Sequence, residues 1–176
     1  MSAATMPLLL RNAAVLDTEA GLLLPEQDVL LRDGVIAELG RGLHRPEARP
    51  IALGGRTLMP GLIDCHVHVC ADGMVGYPTL FPSMVAARAA KLLRETLLRG
   101  FTTIRDAGGA DAGFRQAVAQ GLFPGPRMFI AGRPLSQTGG HGDSRNVADF
   151  CPGCSLRSEQ NMMVIADGVD AVRKAA

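Results

Sequence analysis

The sequence predicts an α/β protein in two parts: a small antiparallel β block over residues 1–60, then about three βα units of a parallel sheet over 61–176. Three observations predict it. Residues 7–60 hold short apolar runs separated by turn-forming residues. Asp33-Gly34 sits between two of those runs, a strong hairpin signal. From Leu62 onward, β-branched runs alternate with Ala- and Leu-rich stretches whose apolar residues fall at helical spacing.

In the β block, Leu8–Leu10 and Ala13–Leu16 form the first apolar runs. Asp28–Arg32 and Val35–Leu39 flank the Asp-Gly turn. Arg41 to Pro50 is polar and proline-containing, and reads as loop. Arg56–Met59 is a last short strand, closed by Pro60-Gly61. Leu62–Val69 then opens the βα series. Met84–Arg99 is a helix with Gly100 as its stop signal. Phe101–Arg105 is a β-branched strand running into Asp106-Ala-Gly-Gly109, and Asp111–Gln120 is a shorter helix that stops at Gly121. Arg127–Ala131 is the third strand, and Ala166–Ala176 begins another helix. The charges on the long helix (Arg88, Lys91, Arg94, Glu95, Arg99) read as its solvated face.

Composition narrows the function classes. With 18 Lys+Arg against 17 Asp+Glu, the chain lacks the basic excess of a nucleic-acid binder. With six Phe, one Tyr and no Trp, any core must be built from aliphatic side chains. The chain has no apolar run of membrane-spanning length and no basic region ahead of a cleavage site, so it reads as cytoplasmic with no membrane partner. In that compartment Cys65, Cys70, Cys151 and Cys154 are expected as free thiols rather than a disulfide framework.

Asp64-Cys-His-Val-His68 carries the chemistry. On a strand, residues two apart share a face, so His66 and His68 project side by side while Val67 and Cys65 face the other way, which leaves Cys65 as packing. Neutral imidazoles suit zinc and similar divalent ions. A bare His-x-His also occurs as two polar surface residues. Here it holds half of the chain's four His and stands where the β block gives way to the βα series.

Leu58-Met-Pro-Gly-Leu-Ile-Asp-Cys-His-Val-His68 resembles the first barrel strand of the amidohydrolase superfamily. Gly100-Phe-Thr-Thr-Ile-Arg-Asp-Ala-Gly-Gly109, Gly125-Pro-Arg127 and Ala131-Gly-Arg-Pro-Leu-Ser-Gln-Thr-Gly-Gly-His-Gly-Asp143 extend the likeness. The Ser136–Gly142 stretch is most similar to the imidazolonepropionase-like and prolidase-like branch, whose members hydrolyse dipeptides and N-acyl amino acids. The resemblance implies a small β-sandwich over 1–60, part of a composite domain, and over 61–176 the first βα units of an incomplete (β/α)8 TIM barrel. It implies two divalent ions in the complete enzyme, usually zinc, with His66 and His68 on the more buried one. It also implies a metal-activated hydroxide as nucleophile, a bridging carboxylated Lys, two later His and a late Asp. Lys174 precedes any fourth strand and is not assigned as that Lys. His141 is implied as a substrate contact, through a carboxylate or the polarised carbonyl. Read from its residues alone, its Gly-rich surroundings are a flexible polar loop.

Other residues keep two readings. Arg105 and Asp106 end a strand, where a charged pair is either catalytic or, as expected here, an ion pair that fixes the loop. Cys151-Pro-Gly-Cys154 has the spacing of half a zinc site, but without a second half it reads as loop thiols. His44 falls in the polar loop of the β block. A closed barrel of this kind takes roughly 250 residues. The chain therefore reads as an N-terminal fragment, and by itself is expected to show little or no hydrolase activity. The expected partner is a dipeptide or other small molecule, and an oligomer is compatible with the sequence. The competing functions are a non-catalytic fragment or interaction module, and an amidohydrolase of another branch acting on cyclic amides or deaminating heterocycles.

Overall fold

A computed structural model describes residues 6–71, 81–143 and 163–176. The chain divides into two units, Met1–Pro60 and Gly61–Ala176.

The first unit is one five-stranded sheet in the order β3-β2-β1-β4, with β5 also paired to β1. Its strands are β1 (Leu8–Asp17), β2 (Leu22–Arg32), β3 (Val35–Gly40), β4 (Arg49–Ala52) and β5 (Thr57–Leu58). The two apolar runs expected at its start are one strand, bent at Asn12, which takes a left-handed conformation (φ 56°). Opposite that irregularity sits the buried carboxylate of Asp28. It accepts the amides of Asn12 at 2.8 Å and Leu43 at 2.9 Å. β2 begins at Leu22, well before the expected Asp28, because Leu22–Leu24 pair with Val15–Asp17. The Asp33-Gly34 turn is as expected, with both residues at positive φ (51° and 78°), as a two-residue hairpin turn requires.

The β block departs from the antiparallel expectation at β4 and β5. Antiparallel pairing holds for β1–β2 and β2–β3, but β4 and β5 run parallel to β1. The 41–48 connection carries the chain past the hairpin to the free edge of β1, so β4 enters in the same direction as β1 and claims Arg49 and Pro50 from the expected loop. Among the described residues this unit holds one mixed sheet.

The second unit is built on a parallel sheet, β6-β7-β8, from β6 (Leu62–Val67), β7 (Phe101–Asp106) and β8 (Arg127–Ile130). Helix α1 (Pro82–Leu98) connects β6 to β7, and α2 (Ala112–Ala119) connects β7 to β8. Parallel neighbours need such crossovers. Pro82 opens α1, where a missing N–H costs nothing. Asp111 caps α2 by accepting the Gly113 amide at 2.8 Å. The apolar faces of both helices meet the sheet in a core of Val69, Ala89, Leu93, Ile104, Ala110 and Met128, within which Leu93 and Ile104 are fully buried. Outside the core, Lys91 and Arg99 lie 3.7 Å from Glu95 on the solvated face of α1. Beyond β8, two short strands absent from the sequence reading, β9 (Leu135–Ser136) and β10 (Val164–Ile165), pair in parallel ahead of α3 (Gly168–Ala175). At two residues each, they are too short to show a period. No helix among the described residues is long and apolar enough to cross a membrane.

Candidate metal centre

In a parallel sheet all C-terminal strand ends lie at one edge, the edge that carries the sites of α/β proteins. Here that edge gathers His66 and His68 from the end of β6, Asp106–Gly109 from the end of β7, and Ala131-Gly132 from the end of β8. Backbone bonds lock the three ends together: Ala107 N–H to Val67 O at 2.9 Å, Ala131 N–H to Asp106 O at 3.0 Å, and Gly109 N–H to Gly132 O at 3.0 Å.

His66 and His68 stand together, with ring centroids 5.2 Å apart and planes at 75°. His66 is exposed and His68 half-buried. The pairing register shifts between Asp64 and Val67, and His68 lies just past the end of β6. Cys65 is exposed rather than packed. The Asp64 carboxylate turns back to accept the His66 amide at 3.1 Å.

Nδ1 of His68 is 2.8 Å from the carbonyl oxygen of Gly108. A carbonyl only accepts, so Nδ1 carries the hydrogen and the Nε2 lone pair is left for another partner. An imidazole whose second nitrogen is held by a carbonyl is the usual form of a metal-ligating His. The two rings therefore fit a divalent ion as a pair of nitrogen donors. Among the described residues no group of three or more His, Cys, Asp or Glu gathers around such a site.

The expected Arg105–Asp106 ion pair does not form, because neighbouring strand residues face opposite ways. Arg105 is exposed, and its Nε donates to the Cys65 carbonyl at 2.6 Å. Asp106 is fully buried, and its oxygens accept three backbone amides: Val69 at 2.8 Å, Gly108 at 2.9 Å and Ala110 at 3.2 Å. The loop is indeed fixed, but by amide donors rather than by a cation. Beside it, the Cys70 thiol is pushed up to about 12, first by burial and then by the charges of Asp106 and Asp111.

His141 is exposed in a tight turn that follows β9. Three side chains shape the turn. Asp143 accepts the Gly139 amide at 2.8 Å, Ser136 Oγ accepts the Gly142 amide at 3.1 Å, and Asp167 accepts the Thr138 amide at 2.8 Å. The stretch read as a flexible loop is thus braced. Among the described residues His141 makes no ring contact or hydrogen bond with the His66–His68 pair. His44 is exposed in the first unit, and Lys174 lies on α3. Cys151 and Cys154 fall outside the described residues. What the sequence did not show is the Gly108 carbonyl on His68, and that the partners of Asp106 are backbone amides. A strand ending in Asp-Ala-Gly-Gly was the available signal.

The amidohydrolase family profile matches residues 57–176, which take in the whole βα unit. The chain belongs to the amidohydrolase family. This amidohydrolase chain is 34% identical to the ochratoxinase of Aspergillus niger over 184 aligned positions, which cover 89% of it and 38% of that enzyme. It is 46% identical to the dihydroorotase of Geobacter sp. (strain M21) over 70 positions, 39% of this chain and 16% of that enzyme. Among solved structures it is similar to a prolidase complexed with N-methylphosphonate-L-proline. The TM-score is 0.85 at 42% identity, covering 96% of this chain and 42% of the prolidase. The chain thus spans about two fifths of the length of the ochratoxinase and the prolidase.

Proposed function

We propose that this amidohydrolase chain supplies the opening part of a metal-dependent hydrolase that cleaves amide bonds of dipeptides or N-acyl amino acids. In this reading residues 1–60 contribute to a composite β-sandwich, and 61–176 form the first βα units of a (β/α)8 barrel. The observation that carries the proposal is the His66–His68 pair at the C-terminal edge of the parallel sheet, with Nδ1 of His68 held by the Gly108 carbonyl. The likeness to the prolidase supports the substrate class.

His66 and His68 would hold a divalent ion, taken to be zinc as one of two in the complete enzyme. Such an ion makes a bound water acidic enough to ionise near neutral pH and polarises the scissile carbonyl. The chain's own residues orient the imidazoles: β6 brings both rings to one edge, and the Gly108 carbonyl sets the orientation and tautomer of His68. His141, on its braced turn, is proposed to bind the substrate's carboxylate or carbonyl.

Two measurements test the reading. Titration of the chain with zinc should perturb the ring signals of His66 and His68 before those of His44 and His141. The protein expressed from its complete gene should hydrolyse Xaa-Pro dipeptides or N-acyl amino acids in a zinc-dependent manner. Hydrolysis confined to cyclic amides in the same panel would move the assignment to another branch of the family.

A further inference from the structure

We propose that Asp106 is a positioning residue for His68. By collecting three backbone amides it fixes the 107–110 turn so that the Gly108 carbonyl holds the Nδ1 hydrogen of His68 and leaves the Nε2 lone pair available to a metal. The inference rests on the reading of His68 as a ligand.

The geometry rules out the simpler role of Asp106 as a ligand itself. Oδ1 accepts the Gly108 and Ala110 amides and Oδ2 accepts the Val69 amide, on a side chain with no exposed surface. No exposed oxygen remains for a cation. Asp106 instead acts on both sides of His68. Through Oδ2 it fixes the backbone of the residue that follows His68. Through Oδ1 it fixes the turn whose Gly108 carbonyl meets the ring.

A carboxylate is the side chain this task needs, because both of its oxygens accept. An asparagine of the same shape would turn an NH2 group toward one of the three amides and leave a buried donor unpaired. The turn is also held from the far side. A Cβ on Gly108 would lie 2.0 Å from Cγ of Pro134, so any side chain there would push the turn away from its position. Strand ends β6, β7 and β8 are thereby tied into one support for a single ring nitrogen.

The test is long-range 1H–15N NMR on the metal-free chain with labelled histidine, followed by zinc titration. In the native chain His68 should be the Nδ1–H tautomer. In Asp106→Asn it should shift toward the Nε2–H form that an unconstrained imidazole prefers, and zinc affinity should fall by about 10- to 100-fold, the usual cost of losing an outer-shell partner. Asp28→Asn is the control for a general loss of stability. It alters a buried carboxylate that collects backbone amides in the first unit, and should leave both readouts unchanged.

A native His68 in the Nε2–H form overturns the proposal, as does an Asp106→Asn chain that keeps the native tautomer and affinity. Should Asp106→Asn fail to fold, Gly108→Ala carries the same expected shifts, and a native Nε2–H tautomer still overturns the proposal. The tautomer readout needs no metal, so it judges the positioning role even if zinc passes both rings by. That last outcome would count against the proposed function alone.

Discussion

Oδ2 of Asp106, at the end of β7, accepts the amide of Val69 at 2.8 Å, so a buried carboxylate holds the backbone directly after His68. This bond joins residues 37 positions apart and ties the core to the candidate site, since Val69 is itself a core residue. Damage to the core and damage to the site are therefore expected to separate only at chosen positions.

His66→Ala is one such position. The ring is exposed, so its removal should change the urea midpoint little. Zinc affinity, measured by isothermal titration, should fall by at least about tenfold, because one of two nitrogen donors is gone. An unchanged affinity would show that the ion sits elsewhere.

Leu93→Ala should do the reverse. Leu93 is fully buried between α1 and the parallel sheet. Truncation removes its transfer energy and leaves a cavity, at a cost of about 2–5 kcal/mol. Equilibrium denaturation would report the loss, and a value below about 1 kcal/mol would mean that the site collapses around the gap.

Cys65 and Cys70 should differ sharply toward an alkylating reagent. Cys65 is exposed, whereas Cys70 is buried with its thiol pushed up to about 12. Only the thiolate attacks, so at pH 8 Cys70 should be inert in the folded chain. In a Cys151→Ser/Cys154→Ser background, mass spectrometry should find one label at Cys65, and a second only after unfolding. Rapid double labelling of the native chain would contradict the burial.

Asp28→Ala should loosen the first unit. It strips the partner from the amides of Asn12 and Leu43, at about 1–3 kcal/mol if they stay dry. Hydrogen exchange should quicken at those two amides first, while the amides of Val69 and Ala110 keep their protection.

Much of the fold was legible because it is local. The Asp33-Gly34 turn, α1 before Gly100 and the alternation through β6, α1, β7, α2 and β8 follow from residue preferences and spacing within a few positions. The direction of β4 and β5 was not legible, because nothing within four or two residues records which edge of β1 the chain will reach. For the same reason Arg49 and Pro50 passed for loop, and β9 and β10 went unseen.

The sequence by itself determined that two imidazoles come together at one strand end, since residues two apart on an extended chain share a side, although His68 lies one residue past β6. Tertiary structure decided which nitrogen of His68 is free, that Asp106 serves amides rather than Arg105, and that Cys65 is exposed. The first two depend on partners brought in across the sheet: the Gly108 carbonyl for His68 and the Val69 amide for Asp106. His68 meets Gly108 across 40 residues of chain, and no local preference encodes a contact made at that separation.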